Sequence, residues 1–524
     1  MKNIFWGVFI TLILLIGVAG YFKQDFWALY LIVVPFFLLG IFDVLQRQHT
    51  LLRNFPIIAH FRYMFEAIRP QVYQYFIESE TDGRPLEREQ REVVYERAKG
   101  VLSTRPYGTK ENVYEVGYEW INHSLMAKRP TDLSPRMMIG NSLCTAPYSA
   151  SIFNISAMSY GAISSNATLA LNRGALTGKF YQNTGEGGLS DYHLRYGGDL
   201  VWQIGTAYFG CRNYLGEFMP DLFAEKARLP SIKMIEIKLS QGAKPGFGGI
   251  LPAAKLTAEI AAMRCVPMGE DVISPPTHNT FNTPIGLLEF VQKLRELSGG
   301  KPIGIKLCLG SHVEFMAICK AMLATQTFPD FITVDGGEGG TGAAPIEFTN
   351  SVGTPLTEGL IFIHNALVGA GLRDKIRIIC AGKLLSGFSV ASKLALGADL
   401  CNSARGMMLA LGCIHSLKCN TNRCPTGVTT QDPRLVYGLN VEDKYQRVAR
   451  YHAEVLTSLA ELVACAGLDT PSQLRPYHLF RRISATEVRS FDQIYPYMRE
   501  PSLLDGTADP FYAKPWSMAK ESTF

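Results

Sequence analysis

Phe331-Ile-Thr-Val-Asp335-Gly-Gly-Glu-Gly-Gly-Thr-Gly-Ala-Ala-Pro345 joins a short β-branched apolar run to a loop with five glycines in eight residues. An apolar run on successive rather than alternate residues suits a strand buried on both faces, and such strands belong to parallel sheets. The arrangement recurs in both directions from this point. Ile152–Ser156, Met234–Leu239, Asp271–Ser274, Ile303–Leu307, Ile376–Cys380 and Asp399–Ser403 each end in glycine or polar residues and lead into helical stretches. Strand–helix alternation sustained between about residues 150 and 430 predicts a (β/α)8 TIM barrel. A doubly wound open sheet is the structural alternative. In a barrel, chemistry gathers where the strands end.

The chain has 524 residues, room for one large catalytic domain with appendages. Its net charge of +5 is small for that length, and no Lys/Arg tract is interleaved with aromatics, so no nucleic-acid partner is expected. Eleven scattered cysteines do not form a disulfide framework and point to a reducing compartment. The amino terminus is a separate object. Ile4–Tyr21 and Phe26–Phe42 are uncharged runs of eighteen and seventeen residues, separated only by Phe22-Lys-Gln-Asp25. Each approaches the length needed to cross about 30 Å of hydrocarbon, so residues 1–46 read as a transmembrane hairpin. Lys2 before it and Arg47, Arg53 and Arg62 after it place both ends in the cytoplasm, at the inner membrane. A cleaved signal peptide, with Gly17-Val-Ala-Gly20 as its cleavage region, is the competing reading. Residues 47–130 form a flanking region, 131–440 the barrel, and 441–524 a mostly helical extension and tail. Within the flank, His49 to Phe65 carries apolar residues at helical spacing with arginines between them. Such a helix either lies along a membrane or faces a core; the second is commoner.

Cys413, Cys419 and Cys424 stand in one short loop, the last followed by Pro425. Soft thiolates so close together suit an iron–sulfur cluster, and the lack of an obvious fourth ligand favours three irons over four. Three buried structural thiols explain the residues equally simply. Other candidate loops follow predicted strands. Ser156-Ala-Met-Ser-Tyr-Gly161 offers small residues to a flat ring. Asn183-Thr-Gly-Glu-Gly-Gly188 puts Glu186 among glycines. Lys238-Leu-Ser-Gln-Gly-Ala-Lys244 carries Gln241 and two lysines. Lys306, inside a strand, needs an anionic partner, for which the N1/C2 edge of a reduced flavin would serve. Ala381-Gly-Lys383 and Ser403-Ala404-Arg405 follow the last two strands, where barrels hold phosphate.

Ala157–Ser165, Asn183–Gly188, Gln241–Gly246, Ser274-Pro-Pro276, Gly340–Ala343 and the cysteine loop running on to Gly427-Val-Thr-Thr-Gln-Asp-Pro433 resemble, in order, the FMN-binding synthase domain of glutamate synthase. With the hairpin, the chain is similar to the short bacterial members of that family. The resemblance implies FMN in a (β/α)8 barrel and a [3Fe-4S] cluster on Cys413, Cys419 and Cys424. It assigns the flavin to Ala157, Met158, Ser159, Lys306, Gly336, Gly337 and Gly382. It puts Gln241 and Lys244 beside the flavin and 2-oxoglutarate, and Glu186 near the entry of ammonia. The implied reaction is hydride transfer from reduced FMN to 2-iminoglutarate, with electrons from a donor protein or membrane carrier. Departures touch the substrate region: Phe247 and Glu236 replace a glutamate and a glutamine, Thr206-Ala-Tyr208 lacks an arginine, and Thr277-His-Asn279 replaces Pro-His-His. They leave open a dehydrogenase for another amino or keto acid linked to a membrane carrier. A non-catalytic electron-transfer subunit is a further alternative. No G-x-G-x-x-G fingerprint on a βαβ unit supports binding of a nicotinamide cofactor.

Overall fold

The computed structural model describes residues 1–101 and 104–524 and divides into two compact units, Met1–Arg88 and Glu89–Phe524. In the second unit eight strands close into a parallel barrel: Phe153–Ile155 (β1), Gln182–Asn183 (β2), Leu200–Ile204 (β3), Ile232–Lys238 (β4), Ile303–Leu307 (β5), Phe331–Asp335 (β6), Arg377–Ala381 (β7) and Leu400–Ser403 (β8). β8 returns to β1 in parallel register, Cys401 opposite Phe153, which excludes the open-sheet alternative. Strands β5 and β6 match the expected runs residue for residue.

Two expectations change. Asp271–Ser274 is not a barrel strand: Val272–Ile273 pairs antiparallel with Ile250–Leu251, in the long excursion between β4 and β5. Ile273 is 62% exposed, so that run lacks the two-sided burial its composition suggested. The barrel instead uses β2 and β3. β2 is two polar residues tied to β1 by the single register pair Ile155–Gln182, too short to show any period.

The amino end of the barrel is plugged. A hairpin, Arg136–Ile139 against Tyr148–Ser151, inserts Ile139, Tyr148 and Ala150 among Tyr181, Val201, Met234, Phe331, Ile379 and Leu400. Packing there requires Gly304 in β5, because a Cβ would lie 2.3 Å from the Phe331 ring. With this end filled by apolar side chains, the opening lies at the carboxyl ends.

Several helices around the barrel begin on hydroxyl caps. Ser164, Thr283, Ser311 and Ser386 accept from the backbone N–H groups of Ala167, Gly286, Glu314 and Ser389. Each such cap contributes about 1 kcal/mol and sets where a loop stops. The 25-residue helix Val441–Cys465 then packs on the barrel's outside, burying Val448, Tyr451, Val455 and Leu459. The tail is less helical than expected. Leu479–Arg482 and Val488–Ser490 join Glu119–Ile121 in a three-stranded antiparallel sheet, because alternate residues there meet partners from the earlier flank rather than a helix face.

Three histidines in this unit are buried and a fourth, His364, is half-buried, and all four are kept neutral. Burial lowers His193 and His452 to about 3, and His278 and His364 to about 4, from 6.5. The unfolded chain therefore binds more protons than the fold below pH 6.5, so stability is full above that pH and falls as acid is added toward pH 4. Each histidine contributes up to about 1.4 kcal/mol per pH unit in that window. Thermal melts between pH 7 and 4 are expected to show a steep decline that His452→Phe makes shallower.

The first unit holds Lys2–Phe22 and Tyr30–Leu45, joined by the 3-10 turn Gln24–Leu29. Tyr30 Oη donates to the Ile13 carbonyl at 2.6 Å, and the Phe5 ring stands against Gly40. The apolar spans Lys2–Phe22 and Gln24–Leu45 are long enough to cross a membrane. Helices Thr50–Asn54 and Ile58–Val72 follow.

Candidate active site

Every barrel strand sends residues to one cavity at the carboxyl end, about 670 Å³ of empty space when its open mouth is included. Lys238 and Lys306 face each other in the β4–β5 register. Two neighbouring ammonium groups would repel, and each is given its own carboxylate. Lys238 Nζ meets Glu186 Oε1 at 2.7 Å and donates to Gln241 Oε1 at 2.8 Å, while Lys306 Nζ lies 3.2 Å from Asp335 Oδ2. These side chains are 15% exposed or less, so each charge depends on its partner.

A third carboxylate lies below. Glu236 in β4 is 1% exposed and accepts from Asn183 Nδ2 at 2.8 Å, Gln203 Nε2 at 2.6 Å and Thr333 Oγ1 at 2.6 Å. Burial alone would lower the Lys306 pKa; Asp335 first, then Glu236, turn the shift upward, so the lysine stays a cation. Glu186 shows the opposite balance. Burial pushes its carboxyl up, but Lys238, then Arg264 and Lys244, hold it below its ordinary value. The floor of the cavity is thus a fixed array of alternating charge, assembled before any ligand arrives.

Of the residues singled out from sequence, Glu186, Gln241, Lys306, Ala157, Ser159, Gly382, Ser403, Ala404 and Arg405 line the cavity. Met158, Gly336, Gly337 and Lys244 do not. Lys244 is 2% exposed and turns its ammonium to the Ala343 carbonyl, tying the 241–249 loop to the glycine-rich loop after β6. Burial, aided by Lys238, lowers it to about 8. Gly336 serves by close approach, since a Cβ on Gly242 would lie 1.8 Å from its carbonyl oxygen. The protein partner of Lys306 is Asp335, a residue adjoining the loop that sequence reading singled out only for its glycines. Sequence reasoning passed over Gln203 and Asn402, and noted Lys238 in its loop without giving it a role.

The wall formed by residues 156–163 is the natural seat for a flat ring. A Cβ on Gly185 would lie 2.5 Å from the Ser159 nitrogen, so the backbone here is packed without side chains between. At the other end, Lys383 and Arg405 bring two cations to the loops after β7 and β8, and Arg405 Nη2 is steered by the Glu338 carbonyl at 2.8 Å. An anionic tail and a planar ring fit this lining.

The cysteine loop lies behind that wall. Gln431 Nε2 donates to the carbonyls of Gly161 and Ile163 at 3.0 and 2.9 Å. Lys255, 2% exposed, donates to the carbonyls of both Ala162 and Cys419, joining the wall to the loop. Burial pushes the Cys413 thiol up to about 11, with Cys419 and Cys424 adding to the effect. Burial also raises Cys424, but hydrogen bonds with Thr426 and Thr429 more than offset it. The chemistry of the donor set, three thiols near enough to influence one another beside a buried ammonium, suits an anionic metal–sulfur group. Among the described residues no three such side chains already stand at metal-ligand spacing.

The family model for the conserved region in glutamate synthase matches residues 129–469. A glutamate synthase large subunit-like protein of Bacillus subtilis is 36% identical over 503 residues, covering 88% of this chain and 95% of that one. An archaeal glutamate synthase [NADPH] of Methanocaldococcus jannaschii is 33% identical, over 67% of this chain and 63% of its own length. A ferredoxin-dependent glutamate synthase of Cyanidium caldarium is 29% identical over 70% of this chain, which spans only 24% of that protein.

Proposed function

Because this chain belongs to the glutamate synthase family of oxidoreductases, we propose that it is a membrane-anchored flavoprotein that reduces 2-iminoglutarate, formed from 2-oxoglutarate and ammonia, to L-glutamate. The observation that carries the reading is the pair of lysines in register, each neutralised by its own carboxylate, at the floor of a glycine-walled cavity. The two apolar amino-terminal spans support anchoring at the cytoplasmic face of the inner membrane.

FMN in the cavity would supply two-electron chemistry, and a [3Fe-4S] group on Cys413, Cys419 and Cys424 would supply one-electron exchange with a donor protein or membrane carrier. The chain's own residues do the positioning. Ala157 and Ser159 would hold the ring through their backbone, and Lys383 and Arg405 would hold the phosphate. Lys306, held charged by Asp335 and Glu236, stabilises negative charge accumulating above the floor. Gln241 and Glu186 fix the Lys238 ammonium so that it orients an anionic acceptor without rearranging.

Turnover of 2-oxoglutarate and ammonia with an artificial reductant tests this, with glutamate as the expected product. A second reading rests on Phe247, which packs edge-on against Phe348 at 4.9 Å where the family resemblance expects a glutamate. Neither ring lines the cavity, so a preference for a less polar keto acid would act through the 241–249 loop. Faster turnover of such an acid than of 2-oxoglutarate would establish that reading. Cofactor reduction without any product would leave electron transfer alone. Cys419→Ala is expected to remove iron while retaining most of the flavin, read by metal analysis and the visible spectrum. Iron unchanged in that variant would refute the ligand assignment.

A further inference from the structure

The helix Ile58–Val72 carries its apolar residues outward. Ile58, Phe61, Met64, Phe65, Ile68 and Val72 are exposed, from 38% at Val72 to 60% at Phe65, and Phe76 in the next turn is 85% exposed. Positions 58, 61, 65, 68 and 72 recur at helical spacing and form one stripe. A soluble helix of this pattern buries the stripe. Here the inward face holds Ala59, 4% exposed, while the stripe is left bare.

The orientation is built rather than accidental. Asp43, near the end of the second apolar helix, is fully buried, accepts from Ile57 N–H at 2.8 Å and holds His60 Nε2 at 2.9 Å. Ile57 itself takes φ +66°, a conformation that disfavours β-branched residues and persists only when its surroundings enforce it. The Asp43 carboxylate therefore clamps the bend from the second apolar span into Ile58–Val72.

Two features of the same unit identify what covers the stripe. The apolar spans that precede it are also bare, with Leu31 at 81% and Leu14 at 64% exposure, so the stripe continues a larger apolar surface. Residues 46–72 carry four arginines, Arg47, Arg53, Arg62 and Arg69, against the one unburied acid Glu66, which Arg62 engages at 2.7 Å. A cationic border on an apolar stripe matches the boundary between anionic headgroups and acyl chains.

We propose that Ile58–Val72 lies in the surface of an anionic bilayer, apolar stripe in the acyl boundary and arginines at phosphate level. The inference rests on the membrane-anchor reading and adds a second, in-plane contact to it. The test uses the full chain in vesicles containing phosphatidylglycerol, with photoreactive p-benzoylphenylalanine replacing Leu31, Phe65 or Glu66 in turn. Lipid adducts are expected at 31 and 65, with the yield at 65 several-fold above that at 66. Adducts at 31 with no excess at 65 over 66 would overturn the in-plane helix and leave the anchor standing. No adducts at 31 would overturn the anchor itself and, with it, this inference.

Discussion

Lys306→Met is expected to destabilise the protein by about 3–5 kcal/mol and to abolish turnover, because it strands Asp335 and deprives Glu236 of its nearby cation. The lysine is 5% exposed and Asp335 9%, so water reaching them through the cavity compensates the lost partner only in part. A methionine of similar length fills the space, which makes the deficit electrostatic rather than steric. Asp335→Asn in the same chain should therefore restore part of the stability, since it removes the orphaned charge. Urea unfolding of the two single variants and the double variant forms the cycle that isolates the pair. Activity should stay lost in the double variant, because the cation at the cavity floor is still missing. Additive destabilisation in the double variant would contradict the pairing.

Gly242→Ala has the second large effect. Its Cβ would meet the Gly336 carbonyl oxygen at 1.8 Å, and that oxygen belongs to backbone that cannot swing aside. The 241–249 loop and the loop after β6 would be forced apart, at a cost of about 3 kcal/mol or more. Gln241 and Asp335 flank the affected contact, so flavin retention should fall sharply on purification. Gly246→Ala is the comparison in the same loop. It has φ +76° and nothing within 4 Å of a new Cβ, so it meets backbone strain alone, about 1 kcal/mol, and should keep its flavin. Equal flavin loss in both variants would mean that the loop's flexibility, not the close approach, matters.

Much of this arrangement was legible from the chain. β5 and β6 announce themselves because all five residues of each are buried and the apolar record, Ile303, Ile305 and Leu307 or Phe331, Ile332 and Val334, is interrupted only by Gly304, Lys306, Thr333 and Asp335. β2 does not, because Gln182 and Asn183 are held by neighbours rather than by their own hydrophobicity. Gln241 and Arg405 were recognisable after predicted strands, Glu186 among glycines and Lys306 inside a strand, and the barrel brings all four to one cavity. What sequence could not supply was pairing. Lys238 and Lys306 look alike on the page; only the register shows that they stand side by side and need separate acids. Lys244, two residues from Gly242, seemed equally placed for a substrate, yet the loop's turn sends it to the Ala343 carbonyl. The exposed stripe of Ile58–Val72 shows the same limit, since periodicity reveals a helical face but not which side of it meets the protein.

The central claim, that the barrel rim holds a flavin beside the 413–424 loop, is tested most directly by purifying the full chain from membranes without air and counting its cofactors. The predicted result is a coloured protein with one FMN per chain, released on denaturation, and iron lost specifically in Cys419→Ala. A folded protein that stays colourless and takes up no FMN when the cofactor is supplied would contradict it.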